Sequence, residues 1–226
     1  MTVLLVLFTF VAFLLIDYFR TRNTIAAPIT MTHAAAAERN APPRLQPALV
    51  GGFAVPENVR YHPGHTWALT ESPSLVRVGI DDFASKLVGK IEHVTLPQRG
   101  QWIRQGQKML TIYRDGCNVD MVSPIEGTVA DINPAVERDP KLSLNDPYGE
   151  GWLITVQAPD AKTSFKNLLG GALARSWMDE AARRLRVRMP VALGALAQDG
   201  GVAINDVSTH IPDQEWLPLA KEFFLS

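Results

Sequence analysis

The feature that most narrows the fold is a four-residue stretch, Arg114-Asp115-Gly116-Cys117, set between two strand-like runs, Met109–Tyr113 and Val119–Val122. Asp-Gly at the centre of a two-residue loop favours a type I′ turn, because that turn needs positive φ at both central positions. The twist of a I′ turn matches that of the strands it joins, so the sequence predicts a tight β-hairpin with Asp115 and Gly116 at its apex. A second constraint lies downstream, in Asn145-Asp146-Pro147-Tyr148-Gly149-Glu150-Gly151-Trp152-Leu153. Asn-Asp-Pro followed by two glycines presets a compact turn. The alternation of Trp152, Ile154 and Val156 then reads as a half-buried strand.

Other segments extend the β pattern. Trp67 and Leu69, then Leu75, Val76, Val78 and Ile80, predict an opening hairpin across Glu71–Ser74. Asp82–Val88 reads as a helical turn capped by Asp81 or Asp82. Ile91–Leu96 reads as a strand stopped by Pro97, and Pro134–Leu144 as a short helix with a loop. Four motifs precede the Asn145–Leu153 block in order. They are Tyr61-His62-Pro63-Gly64-His65-Thr66-Trp67, Val78-Gly79-Ile80-Asp81-Asp82-Phe83-Ala84, Val94-Thr95-Leu96-Pro97 and Ser123-Pro124-Ile125-Glu126-Gly127. Taken together with that block, they closely resemble the glycine cleavage system H protein, a lipoyl-carrier family, from about Val59 to Val156.

The resemblance implies a mainly β fold, a lipoyl-domain-like sandwich (barrel-sandwich hybrid) with flanking helices. It also exposes a departure. Counted back from Ser123-Pro124, the lysine that carries lipoate in the family falls on Gly116, and the glutamate three residues before it on Tyr113. Lipoylation joins the cofactor to a primary amine, and glycine has no side chain. The expectation is therefore a module without a cofactor, whose lipoyl position at Gly116 is vacant. Lys108 and Lys90 are the nearest alternative lysines.

The ends of the chain differ from this middle. Val3–Ile16 is apolar except for Thr9, and Tyr18 and Phe19 extend the run. At about 1.5 Å per residue, a helix over 1–19 nearly crosses a hydrocarbon core of about 30 Å. No lysine or arginine precedes the run and no small-residue cleavage site adjoins it, which disfavours a cleaved signal. Residues 1–22 are thus expected to be a single-pass anchor in the cell membrane, inserted through residues 3–19. Arg20 and Arg22 place the remainder on the cytoplasmic side by the positive-inside tendency. Residues 23–58, rich in Ala and Pro with Gly51-Gly52, read as a tether. Residues 59–158 form the β domain and 159–226 an α-rich extension. Within that extension, Phe165 to Leu185 keep helical spacing across Gly170-Gly171. A small hairpin is expected over 195–204, and a last helix from Pro212 or Asp213 holds Trp216, Leu217, Ala220, Phe223 and Phe224. The middle helix carries Arg175, Arg183, Arg184, Arg186 and Arg188, which suits either a solvated face or contact with anionic lipid.

Charge and composition exclude several classes. A formal net charge of −1 does not suit a nucleic-acid binder. A single cysteine, Cys117, permits neither an intrachain disulfide nor a multi-cysteine metal site. Cys117 remains a candidate thiol for redox or acyl transfer, although Asp115 beside it disfavours the thiolate. His62, His65 and His93 lack acidic or cysteine partners at ligand spacing, so no metal is expected. No nucleophile elbow, phosphate loop or dinucleotide fingerprint is present, so no enzyme activity is expected. What remains is a protein-docking face, with Asp115, Asn118, Tyr148 and Glu150 as its candidate residues.

Overall fold

A computed structural model describes residues 47–189 and 213–225, together with Val207 and Ile211. The apolar run over 3–19, most of the tether and the expected hairpin over 195–204 lie outside the described residues. Among the described residues, no helix is long and apolar enough to cross a membrane.

The segments are β1 (Ala48–Val50), β2 (Phe53–Val55), β3 (Arg60–His62), β4 (Thr66–Ser72) and β5 (Leu75–Ile80), followed by helix α1 (Asp82–Val88). Strands β6 (His93–Thr95), β7 (Trp102–Ile103), β8 (Lys108–Arg114), β9 (Cys117–Val122) and β10 (Gly127–Ile132) come next. Two short helices, α2 (Pro134–Arg138) and α3 (Leu142–Asn145), lead to β11 (Ile154–Gln157). Helices α4 (Ala161–Lys166), α5 (Gly171–Arg188) and α6 (Asp213–Phe224) complete the described chain. The strands form an antiparallel sheet in the order β3-β4-β5-β11-β10-β7, a second sheet β6-β8-β9, and the hairpin β1-β2. One hydrophobic core joins the sheets to residues of α1, α5 and α6. This is the lipoyl-domain-like sandwich with flanking helices.

Local chemistry explains the key elements. Trp67 sits opposite Gly79 in the β4–β5 register and is fully buried. A Cβ on Gly79 would come within 2.5 Å of the Trp67 ring, so glycine here makes room for the indole. The indole N–H donates to the carbonyls of Ile80 (2.7 Å) and Pro147 (3.1 Å), which fastens the Asn145–Leu153 turn onto the first hairpin. Asp81 begins α1: its carboxylate accepts from the Ala84 amide at 2.8 Å and lies 2.8 Å from His65 Nδ1. Both groups are buried, and His65 holds φ at 61° with its ring stacked on Phe83.

The strand expected over Ile91–Leu96 is shorter, His93–Thr95. The hairpin runs are longer by a residue or two, since β8 and β9 continue to Arg114 and Cys117. Pro134–Leu144 holds two short helices rather than one.

The tether expected over 23–58 is corrected at its far end. Ala48–Val55 folds as a hairpin through Gly51 and Gly52, whose φ values are 60° and 95°. Phe53 and Val55 are buried, because the hairpin packs on α5 and the Arg186 guanidinium donates to the Gly51 carbonyl at 3.1 Å. The α-rich segment is likewise no separate appendage. In α5, Ala174, Met178, Ala181, Ala182 and Leu185 are buried on one face and share the β core.

The arginines of α5 are satisfied within the molecule. Arg175 meets Glu57 at 2.6 Å, Arg183 meets Glu180 at 2.9 Å, and Arg184 and Arg188 both reach Glu222 of α6. These pairs join exposed side chains, and Arg184 and Arg188 share one carboxylate, so each pair is worth little in stability.

Candidate functional site

The apex expected at Asp115-Gly116 is present. Arg114 and Cys117 are paired across the strands, and the φ values between them are 48° and 75°, as a I′ turn requires. Asp115, Gly116 and Asn118 are exposed. A Cβ on Gly116 would meet nothing within 4 Å, so this point of the turn opens on solvent.

Strand alternation sorts the remaining hairpin residues into two faces. Tyr113 and Asn118 form an outward pair, with the exposed His93 ring stacked on Tyr113 at 3.9 Å. Arg114 and Cys117 form an inward pair. Cys117 is half-buried against the core, so the candidate thiol faces the body of the protein and not the outer surface of the tip. Arg114 is almost wholly buried, with 5% of its surface exposed. Its guanidinium donates to the Val88 carbonyl at 2.8 Å and meets the Asp115 carboxylate at 3.1 Å. It also covers the ring of Trp216 at 4.7 Å. On the other side of the apex, the Asp115 amide donates to the Glu92 carboxylate at 3.1 Å.

The other two candidate docking residues lie elsewhere. The Tyr148 hydroxyl accepts from the Asp82 amide at 3.2 Å and donates to the Ala54 carbonyl at 2.9 Å. Burial above all, and then the charge of Asp81, push its phenol well above the ordinary tyrosine range. Tyr148 is thus a tie between the turn block, α1 and β2. Glu150 is exposed, and its amide donates to the Asp146 carboxylate at 2.8 Å. Tyr148 reaches the first residue of α1 and Arg114 the last, so the two groups stand about 10 Å apart along that helix. The structure brings Asp115 and Asn118 together at the tip, sets Tyr148 at the opposite end of α1 and leaves Glu150 on the turn block with Asp146 and Asn133.

The lysines divide in the same way. Lys108 pairs with Asp120 at 2.8 Å, at the far end of β8 from the tip. Lys86 is buried against Asp82. Lys90 is exposed and lies between Val88, which receives Arg114, and Glu92, which receives the apex amide. The C-cap at Gly89, with φ at 67°, turns the chain out of α1, and the Lys90 amide donates to the Val88 carbonyl at 2.7 Å.

The three histidines are not gathered into a centre. His65 pairs with Asp81, His93 stacks on Tyr113, and His62 Nδ1 accepts from the Gly64 amide at 3.0 Å. Among the described residues, no group of three His, Cys, Asp or Glu side chains is assembled to hold a metal ion. Arg114 and Trp216 are the site residues that sequence reasoning missed. Their contacts join positions far apart in the chain, and from the sequence Trp216 stands only among the apolar residues of the last helix.

The profile described as "Glycine cleavage H-protein" matches residues 59–180. The probable glycine cleavage system H protein 2 of Sulfurisphaera tokodaii is 32% identical over 136 residues, spanning 59% of this chain and 91% of that one. The glycine cleavage system H protein of Bacteroides fragilis is 38% identical over 114 residues, 50% of this chain and 89% of its own. A solved H protein from Mycobacterium marinum superposes with a TM-score of 0.48 at 28% identity, covering 54% of this chain and 97% of that structure.

Proposed function

The chain belongs to the glycine cleavage H-protein family, and from that premise we propose that it is a protein-binding or scaffold module that is not lipoylated, and not an enzyme. The observation that carries this reading is Gly116 at the apex. Lipoate would have to be joined through an amide to a side-chain amine, and the residue at that point of the turn has no side chain. The residues present do not fit the cofactor where the family resemblance puts it. The turn is nonetheless retained and is held from three sides, by Val88, Glu92 and Trp216. Retained shape with lost chemistry suits recognition by another protein, with Asp115, Gly116 and Asn118 as the presented surface. Residues 3–19 would tether this module to the cell membrane, with the β domain facing the cytoplasm.

A second reading draws on the position of Lys90. Lys90 is exposed and stands two residues from both Val88 and Glu92, which brace the hairpin end, and this favours it over Lys108, whose amine is engaged by Asp120. Intact-mass measurement and peptide mapping of protein purified from its own host separate the two. The scaffold reading predicts the unmodified mass. A lipoyl adduct mapped to Lys90 would replace it with the carrier reading.

A further inference from the structure

Helix α1 ends with carbonyl groups that its own backbone cannot satisfy, as every helix does. Two of them accept from side chains in distant parts of the chain, the Val88 carbonyl in addition to the Lys90 amide at 2.7 Å. The Leu87 carbonyl accepts from the Trp216 indole N–H at 2.8 Å, and the Val88 carbonyl accepts from the Arg114 guanidinium at 2.8 Å. The two donors also touch each other, since the guanidinium lies over the Trp216 ring at 4.7 Å. From there Arg114 reaches the apex directly, through the Asp115 carboxylate at 3.1 Å.

We propose that α6 is a latch on the hairpin tip: Trp216 and the end of α1 hold Arg114, and Arg114 as a positioning residue holds Asp115-Gly116 in one conformation. A cationic group at a helix C-terminus is favoured by the helix dipole. A guanidinium offers several donors in a fixed planar fork, so one side chain can serve the Val88 carbonyl and the Asp115 carboxylate while its face rests on an aromatic ring. Removing the ring takes away the surface that fixes the plane of the fork, and the tip then loses its inner support while keeping its strand pairing. α6 is itself anchored independently of Arg114, by Phe223 against Phe83 at 4.8 Å and by Glu222 against Arg184 and Arg188. The latch can therefore be opened without detaching the helix. Coupling of this kind is reciprocal: a partner that seizes α6 loosens the tip, and a partner that clasps the tip steadies α6.

The test is amide hydrogen exchange on the full chain in detergent without any partner, so its outcome is independent of whether a scaffold partner exists. Trp216→Leu keeps apolar bulk but loses the ring and its N–H. It is expected to speed exchange at Asp115–Asn118 about tenfold while leaving β4 and β5 unchanged, and Arg114→Gln is expected to do the same. The double variant should add little to either single one, because both break one chain of contacts. Trp216→Phe, which keeps a ring over the guanidinium and loses only the donor, should give a smaller rise confined to the same amides. Tip exchange within twofold of wild type in Trp216→Leu would overturn the latch. So would a uniform rise across β4, β5 and the tip in both Trp216 variants, since α6 would then contribute only general stability.

Discussion

Replacement of Gly116 offers a graded test of the apex geometry. Its φ of 75° lies in the left-handed region, and a Cβ placed there meets no atom within 4 Å. The cost of a side chain is therefore conformational and not steric. An L-residue in that region costs roughly 1–2 kcal/mol. Part of this is offset, since removing glycine restricts the unfolded chain by roughly 0.4–1 kcal/mol. Gly116→Ala should destabilise the protein by about 1 kcal/mol, or roughly 2–4 °C in Tm for a chain of this size. Gly116→Lys should cost the same as alanine to within about 0.5 kcal/mol, because its longer side chain points into solvent. Gly116→Asn should be close to neutral, since asparagine tolerates the left-handed region. Urea denaturation at constant pH reads all three. An alanine cost above about 3 kcal/mol, or a lysine much worse than alanine, would mean that the apex is packed against something. No cost at all for alanine would mean that the turn is not type I′.

Two further outcomes follow from the core. Trp67→Phe strands the carbonyls of Ile80 and Pro147 without their donor and should cost about 1–3 kcal/mol. A loss below 0.5 kcal/mol on the order of measurement error in urea titration would show that the indole N–H is not what ties the turn block down. Gly79→Ala drives a methyl into that same indole and should cost about 1–3 kcal/mol by overpacking, read as a lowered Tm; an unchanged Tm would refute the close approach. Burial first, and then the charge of nearby His65, hold His62 below its ordinary value of 6.5. The unfolded chain therefore takes up a proton before the folded one as pH falls through 6.5, so stability should decline from there toward lower pH. His62→Gln should flatten that part of the urea-midpoint profile, and an unaltered slope would assign the pH dependence to other groups.

The parts of the fold that were legible in the sequence are those set by adjacent residues. Asp115-Gly116 announces its turn because backbone sterics alone demand those residue types, and Asp81 announces the start of α1 because a cap acts within one helical turn. The β1–β2 hairpin shows where this logic weakens. Gly51-Gly52 is a valid two-residue loop signal, but strands of three residues give too little alternation to stand out from an alanine- and proline-rich background. The support of the tip was not legible at all. It depends on Trp216 reaching Leu87, 129 positions away, and on Arg114 turning inward to meet them both. The cationic face of α5 was ambiguous for the same reason, because its partners Glu57 and Glu222 belong to other elements.

A scaffold role requires the turn at Gly116 to carry no cargo. Its most direct trial is the intact mass of the chain isolated from the organism that makes it, followed by fragmentation across residues 86–120. An unmodified mass throughout is the predicted result, and a lipoyl group on any lysine of that stretch, Lys90 above all, would contradict it.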